Sequence, residues 1–395
     1  MNEFRSAGKT RLGSFFALIT FATVLSQLPF FVSRGMASNI SIAIWAVAAA
    51  VCFANGRVIR IRNIGTPIRI AVIILLFVFV AGMTNDVYWS SSIPRAVMIA
   101  MFVLFVGNVL GPYISLYDLK RILRSYAYAT VVLAIDVYLE FFRGATFSRI
   151  YIYNEKNSTA LLLFTGLIIL LAELGEKRKK PGNSVKTAFN IVLCVILAYG
   201  TLILQCRAVY VSAAIVLVLF VISSGLNKRV KTLIVLTVFA AILYYLTHGQ
   251  ALDSFLDRFI YAGRSSTDLN DLSSGRTQEW SHFWTDLGDG FLFGNGRMKR
   301  ESLVLTALLE FGFVFGVPIL YLAVYPILFG IKNIDKNSSL YFLFIAVAIG
   351  FATNMLFEQL APFGPGVKCF LLWFLLGIFA SWKTGPYVRI SDYEE

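Results

Sequence analysis

The chain has 395 residues, of which 58% are hydrophobic and only 14% are charged, and its formal net charge is +13. Soluble globular domains carry about 25% charged residues, so this composition excludes an ordinary soluble enzyme and predicts an integral membrane protein. The basic residues are dispersed between apolar segments, so they indicate membrane topology and contact with anionic lipids rather than nucleic-acid binding.

Apolar segments that could cross a bilayer recur along the whole chain. A membrane-spanning helix needs roughly 20 apolar residues, and by this measure about twelve spans are predicted. They cover about 12–32, 38–55, 67–84, 93–111, 125–142, 157–175, 186–205, 208–226, 230–247, 302–330, 338–356 and 366–382. The seventh and eighth spans, which meet at Cys206, could form one over-long helix, but a hairpin fits the length better. The predicted fold is an all-α, polytopic single membrane domain, residues 1–395.

Basic residues mark alternate connecting segments. These segments contain Arg5/Lys9/Arg11, Arg57/Arg60/Arg62, Lys120/Arg121/Arg124, Lys177–Lys180, Lys228/Arg229/Lys231, Lys332/Lys336 and Lys383/Arg389. With twelve spans all of them fall on one side, and the positive-inside rule makes that side, with both termini, cytoplasmic. A cleavable signal peptide is not expected, because the first apolar run has full span length.

Ionisable residues within the spans need a partner or a polar cavity. Asp136 and Glu140 are four residues apart and share one helix face. We expect them to pair with an arginine of a neighbouring helix, and a substrate role is the alternative. Arg95, at the outer start of the fourth span, either contacts a ligand or extends toward the membrane surface.

Two outer connections carry cations that suit phosphate or sugar. The loop 143–156 contains Arg149 with Tyr151 and Tyr153, which fit either a glycan or an interfacial aromatic belt. Arg207 lies in the tight turn between the seventh and eighth spans, at the outer boundary. Its planar fork of five donors matches phosphate oxygens, so a phosphate role is predicted.

The outer segment 248–301 is long for a connection without a task. We expect it to cap an active site with two short amphipathic helices, the first at Ala251–Tyr261. The second is indicated by apolar and basic residues at three- and four-residue spacing. These are Arg276, Trp280, Phe283, Trp284 and Leu287. Its apolar face would rest on the bundle, and its arginine would point at the site. The four glycines between Gly288 and Gly296 predict a turn-rich lid.

Arginines and lysines are frequent in the predicted outer segments, although the positive-inside rule makes that side poor in them. Arg264, Arg297 and Arg300 belong to these outer cations. An anionic ligand is therefore predicted, and a lipid-linked diphosphate is the leading candidate. Glu310 follows Glu301 by nine residues, or about 13 Å along a helix. Glu301 is therefore expected at the cavity surface and Glu310 inside the bundle, in a buried ion pair.

Four motifs occur in a fixed order: Cys206-Arg207 before a span, Ser274-Gly275-Arg276 with Trp280, Leu292-Phe293-Gly294-x-Gly296, and Glu301-Ser302 followed by Glu310, Gly312 and Gly316. Together they resemble the O-antigen polymerase and O-antigen ligase superfamily of bacterial membrane glycosyltransferases. The resemblance covers roughly 150–325 by motif, and the whole chain by span number and long outer loop. It implies a GT-C-like fold in the bacterial plasma (inner) membrane.

The resemblance also implies a reaction. The protein would polymerise undecaprenyl-diphosphate-linked repeat units of O-antigen, capsule or exopolysaccharide, without a cofactor or metal. Arg207 and Arg276 would hold the donor diphosphate, and Glu301 would activate the acceptor hydroxyl as general base. Further substrate contacts would come from Arg264, Arg297, Arg300, Arg149, Tyr151, Tyr153, Trp280 and Trp284. The implied partners are the lipid-linked glycan donor and acceptor, membrane lipids and a chain-length regulator protein.

Two alternatives stay open. Ligases have a histidine where this chain has Glu301, so the polymerase is favoured over a ligase that transfers finished glycan to lipid A core or protein. A polysaccharide transporter or flippase would also fit twelve spans with cytoplasmic termini. The broken helices and paired half-repeats of transporters are not evident in the sequence.

Overall fold

A computed structural model of the chain describes residues 11–54, 65–88, 92–103, 106, 114–143, 156–175, 184–222, 275–296, 300–336, 338–359, 361–363 and 369–384, with single positions between 228 and 273. Within these ranges every regular element is a helix, so the all-α prediction is confirmed. The helices before residue 176 are α1 (Arg11–Leu25), α2 (Pro29–Val32), α3 (Ala37–Ala54), α4 (Gly65–Thr84), α5 (Ile93–Ala100), α6 (Leu116–Phe142) and α7 (Lys156–Gly175). Those after it are α8 (Ser184–Ile203), α9 (Arg207–Ile222), α10 (Arg276–Ser281), α11 (Phe283–Leu287), α12 (Leu303–Asn333), α13 (Ser339–Asn354) and α14 (Phe370–Thr384).

Membrane character is evident from helix length and composition. Five described helices are long and apolar enough to cross a bilayer, namely α4, α6, α7, α8 and α12. Shorter apolar helices occur at the predicted spans of α1, α3, α5, α9, α13 and α14. The predicted span 230–247 lies almost wholly outside the described residues. The total of twelve spans, the side of the termini and the loop layout stay predictions.

Two predicted boundaries are wrong. α6 begins at Leu116 rather than near residue 125, and its first turns carry Lys120, Arg121 and Arg124. The Ser115 hydroxyl accepts the Asp118 N–H at 3.1 Å and caps this polar extension, which an apolar window does not detect. α1 ends at Leu25, before a turn and the short α2 that opens with Pro29.

Helix α7 forms the centre of the bundle. It packs against α6, α8, α9 and α13, and 72% of the residues in its most apolar 18-residue stretch are buried. Near one end the Asn157 side-chain amide donates to the Glu358 carboxylate at 2.6 Å. Near the other end Glu173 pairs with Arg124 at 2.7 Å and Lys186 at 3.2 Å. Sixteen residues separate Asn157 from Glu173, so the polar clusters lie about 24 Å apart, at opposite ends of an apolar layer.

The sidedness of these two ends can be tested by thiol labelling. All four native cysteines are buried, so the wild-type chain should react poorly with a membrane-impermeant maleimide. Thr285 and Lys336 are exposed, and the predicted topology puts them on opposite sides of the membrane. In intact cells Thr285→Cys should be labelled, whereas Lys336→Cys should react only after permeabilisation. The reverse pattern would invert the topology, and equal labelling in intact cells would contradict it.

Helix α12 is interrupted at Gly312, whose φ of 64° and ψ of −175° are not helical. A Cβ atom added at Gly316 would lie 2.5 Å from the Ala307 carbonyl oxygen. In a continuous helix nine residues would separate these positions by about 13 Å. The halves 303–311 and 313–333 therefore fold against each other, so the predicted span over 302–330 is present but is not one continuous helix.

Residues 291–296, which we call the pairing segment, lie across this break. The N–H groups of Asn295 and Gly296 donate to the carbonyls of Leu309 and Glu310 at 3.1 and 3.2 Å. In return, Phe313 N–H donates to Phe291 O at 2.9 Å, and Val314 N–H donates to Leu292 O at 3.1 Å. Broken-helix backbone at membrane depth must find such partners within the protein. The predicted lid is therefore bound by its backbone to the break in α12 over 291–296, while the side chains of Phe291, Leu292 and Phe293 stay about half exposed.

The Tyr88 side chain fixes the other face of the pairing segment. Its hydroxyl donates to the carbonyl oxygens of Phe293 at 3.2 Å and Gly294 at 3.0 Å. Burial raises the pKa of Tyr88 above its usual range, so the hydroxyl stays a donor. Phe77 stacks on Phe315 with ring centroids 3.8 Å apart. Tyr88 is only 8% exposed and therefore makes an internal contact.

Candidate functional site

The Ser-Gly-Arg motif sets the position of Arg276 at the start of α10. Gly275 takes a φ of 86°, a left-handed conformation that glycine adopts without steric cost. Its N–H donates to Asn270 O at 2.8 Å, and the Ser273 hydroxyl accepts the Thr277 N–H at 3.0 Å. These contacts cap α10 and place the Arg276 side chain at the helix start, as the sequence predicted.

The Arg276 guanidinium is held by backbone carbonyls and by one carboxylate. Nη1 donates to Ser273 O at 3.1 Å, and Nη2 donates to Phe357 O at 3.1 Å. Nη2 also lies 2.8 Å from Glu301 Oε2. The guanidinium carbon is 5.6 Å from the centroid of the Phe357 ring. The side chain of Arg276 is 17% exposed, so this arginine is fixed at the edge of the protein interior.

Glu301 is exposed, whereas its predicted place at the surface of a ligand cavity stays a prediction. Its side chain is 57% exposed, and its backbone N–H donates to Glu279 Oε2 at 3.3 Å. α12 begins only after it, at Leu303, where the Ser302 hydroxyl accepts the Val304 N–H at 3.2 Å. Glu301 therefore lies just before a helix N-terminus and faces outward. The structure joins Glu301 and Arg276, which the sequence nominated separately, in one ion pair.

The segment 355–359, directly after α13, connects the parts of this site. Met355 O accepts the Leu303 N–H at 2.9 Å, and Phe357 O accepts Arg276. The Glu358 carboxylate accepts the Asn157 amide at 2.6 Å. Sequence reasoning missed this segment. A glutamate and a glutamine directly after an apolar span, on the side that should carry the ligand site, were the available signal.

The Cys206–Arg207 turn separates two helices, so the alternative of one over-long helix is wrong. α8 ends at Ile203, Gln205 takes a φ of 50°, and α9 begins at Arg207, which is half-buried. Burial raises the pKa of the Cys206 thiol to about 11; the negative charge of Glu358 adds to the rise and the positive charge of Lys156 opposes it. Both charges therefore act on this turn. The segment 355–359 thus contacts Arg276 through the Phe357 carbonyl and lies near the Cys206 turn through Glu358.

Glu310 forms the predicted buried ion pair, and its partner is Arg95. Their side chains are 1% and 6% exposed, and Arg95 Nη2 also lies 3.5 Å from Gln359 Oε1. Arg95 therefore does not extend to the membrane surface; its side chain forms an ion pair between α5 and α12. A ligand contact of Arg95 stays a prediction.

The second predicted amphipathic helix is divided at His282 into α10 and α11. Phe283 and Leu287 pack on Leu305 and Leu309 of α12, so part of the predicted apolar face is confirmed. Trp280 and Trp284 point away from that contact and are 44% and 69% exposed. The expectation that they rest on the bundle is wrong, and their role on a glycan path stays a prediction.

Other predicted site residues have structural contacts. The Arg300 guanidinium pairs with Asp286. The backbone N–H of Arg300 donates to Thr306 Oγ1 at 3.0 Å. Glu140 pairs at 2.9 Å with Arg143 of its own helix end rather than with a neighbouring helix. Among the described residues Asp136 Oδ2 is buried without a hydrogen-bond partner. The predicted partner is therefore wrong for Glu140, and the pairing of Asp136 stays a prediction.

Several predicted residues lie outside the described ranges: Arg149, Tyr151, Tyr153, Arg264, Arg297 and the helix at Ala251–Tyr261. Within the described ranges, no three His, Cys, Asp or Glu side chains form a metal-ligand group.

No protein-family model matches the chain, and no curated protein sequence matches it at a significant level.

Proposed function

We propose that this protein is a membrane glycosyltransferase that polymerises polysaccharide repeat units carried on undecaprenyl diphosphate at the outer membrane face. The observation that supports it is the Arg276–Glu301 pair, in which a positioned arginine and an exposed carboxylate lie 2.8 Å apart at the edge of an apolar bundle. Glycosyl transfer from a diphosphate needs both groups, because one proton must be removed and one anion must be stabilised.

The proposed step uses these groups in turn. The acceptor hydroxyl attacks the anomeric carbon of the donor sugar and gives its proton to the Glu301 carboxylate. A new glycosidic C–O bond forms while the bond to the diphosphate breaks, and the diphosphate leaves with the bonding electrons. Arg276 and Arg207 stabilise the charge on the leaving diphosphate. Segment 355–359 positions Arg276 through the Phe357 carbonyl.

The glycan ladder of a deletion strain tests this function. Loss of a general base typically lowers a rate by about 100- to 10,000-fold, so Glu301→Gln should leave single repeats where wild type restores long chains. Arg276→Ala and Arg207→Ala should have the same effect at equal expression. Arg69→Ala is the control, because Arg69 is exposed on α4 at the opposite predicted face. Long chains in all three site variants would exclude the transfer mechanism.

The same strains separate the ligase alternative from the polymerase. A ligase deletion should leave full-length glycan on its lipid carrier, whereas a polymerase deletion should leave single repeats on the normal acceptor. Appearance of full-length, carrier-bound glycan would reassign the protein to a ligase.

A transporter is the second candidate, and the break in α12 favours it. Secondary transporters use discontinuous helices near the membrane midplane, often beside charged residues. Here the break at Gly312 is two residues from Glu310, which pairs with Arg95. Lipid-linked repeats that accumulate on the cytoplasmic face of the deletion strain would support a flippase instead of a transferase.

A further inference from the structure

We infer that Arg276 is an anion-exchange site, in which the Glu301 carboxylate occupies the position that a phosphate oxygen of the donor takes during the reaction. The inference rests on the proposed function for its ligand class, a diphosphate. It goes further in one respect: binding of the donor and release of the base become one event, since a phosphate can take the Arg276 Nη2 donor only as Glu301 leaves it.

The position of Arg276 does not depend on Glu301. Two carbonyls, Ser273 O and Phe357 O, each accept one of its guanidinium nitrogens at 3.1 Å. The Ser273 carbonyl belongs to the capped loop before α10, and the Phe357 carbonyl belongs to segment 355–359. Both are backbone groups of the folded bundle, so the guanidinium remains oriented when the carboxylate departs. A charged donor fixed in advance is what an incoming anion requires.

The Glu301 carboxylate, in contrast, is held only weakly. Its side chain is 57% exposed, whereas Arg276 is only 17% exposed. Exposed ion pairs contribute about 0–1 kcal/mol, so water can replace the arginine around this carboxylate. The Glu301 backbone stays in place, because its N–H is bound to Glu279 and the adjacent Ser302 caps α12. The side chain can therefore turn away while its Cα remains near Arg276.

A diphosphate should bind Arg276 more tightly than the Glu301 carboxylate does. It carries more negative charge than a carboxylate, and arginine binds phosphate oxygens with its planar donor fork. Arg276 Nε, which is buried and has no hydrogen-bond partner in the described residues, is a further donor for it. Once displaced, Glu301 is unpaired, exposed and one side-chain length from the leaving diphosphate.

Titration of the purified full-length protein with inorganic pyrophosphate tests the exchange. Glu301→Gln removes the internal competitor, so the affinity should rise about fivefold, which corresponds to about 1 kcal/mol at about 1.4 kcal/mol per tenfold. In Glu301→Gln with Arg276→Ala this gain should disappear, because the exchanged partner is missing. Microcalorimetry in lipid nanodiscs gives the dissociation constants, and melting curves confirm folding.

Glu279→Gln is the matched control. It removes one negative charge from α10, from a residue that contacts the Glu301 N–H rather than the guanidinium of Arg276. A gain in Glu279→Gln equal to that in Glu301→Gln would mean general electrostatic repulsion and would overturn the exchange. Unchanged or weaker binding in Glu301→Gln, or no pyrophosphate binding by any of these proteins, would overturn it as well.

The two hypotheses fail separately. If Glu301→Gln abolishes long glycan chains but leaves pyrophosphate affinity unchanged, Glu301 acts in transfer without exchange at Arg276. If the affinity rises while the glycan ladder stays normal, the exchange holds and Glu301 is not the base.

Discussion

Removal of either partner of the Arg95–Glu310 pair should destabilise the protein by about 3–5 kcal/mol, because it leaves an uncompensated buried charge. Arg95→Met and Glu310→Leu are the single changes, and both side chains are nearly inaccessible to solvent. The double variant replaces the pair with apolar groups of similar length. It should recover most of the loss, because apolar replacement of a whole buried pair is often neutral or stabilising.

Thermal unfolding in nanodiscs, with all four proteins in the same lipid, measures this cycle. The exposed pair Glu140–Arg143 is the control: Arg143 is 72% exposed, so Arg143→Met should change stability by less than about 1 kcal/mol. A double variant no more stable than the single variants would show that Arg95 and Glu310 do not act mainly on each other.

Gly312→Ala and Gly294→Ala should each prevent accumulation of folded protein. A Cβ at Gly312 would lie 2.3 Å from the Leu292 carbonyl group, and one at Gly294 would lie 2.2 Å from Glu310 O. Both residues also have a positive φ, which costs an alanine about 1–2 kcal/mol. The backbones cannot easily separate, because four hydrogen bonds join them. Overpacking adds about 1–3 kcal/mol, so the total should reach about 3 kcal/mol or more.

Two other glycines separate the causes of this effect. Gly35 has a φ of 66° with no atom within 4 Å of an added Cβ, so Gly35→Ala measures backbone strain alone. Gly350 lies in α13, and an added Cβ there would meet Phe164 at an ordinary 3.5 Å. Detergent extraction followed by fluorescence-detected gel filtration ranks the variants. If Gly312→Ala is as abundant as Gly35→Ala, the close crossing at Gly312 is not essential.

Hydropathy predicted the helices well because membrane burial is mainly a matter of composition. It placed α7, α8 and α13 within a few residues, since their ends coincide with changes in polarity. It missed the first turns of α6, where Lys120 and Arg124 continue a capped helix beyond the apolar run. It also missed the break at Gly312, because a glycine in an apolar stretch has the same hydropathy whether the helix continues or not.

The site residues were predictable singly but not as pairs. Arg276 and Glu301 were found from motif and position, and Glu310 was expected in a buried pair. Their partners depend on which helices meet, which no local pattern encodes: Arg95 is far from Glu310 in sequence, and the Phe357 carbonyl carries no side-chain signal at all. For Trp280 and Trp284 the helical spacing was correct, but the break at His282 changed which face packs on α12.

The contact between the start of α12 and the segment after α13 also constrains the order in which the protein can fold during synthesis. Ribosomes deliver the chain from its N-terminus, so Arg276 and Glu301 emerge well before Met355 and Phe357. Until α13 has been inserted, the Leu303 N–H lacks its acceptor, and the Arg276 guanidinium lacks one of its two carbonyls. The 303–311 half-helix is also too short to cross a bilayer by itself. We therefore expect translation products truncated before residue 355 to be recognised by quality-control proteases, even though most of their membrane segments are already complete.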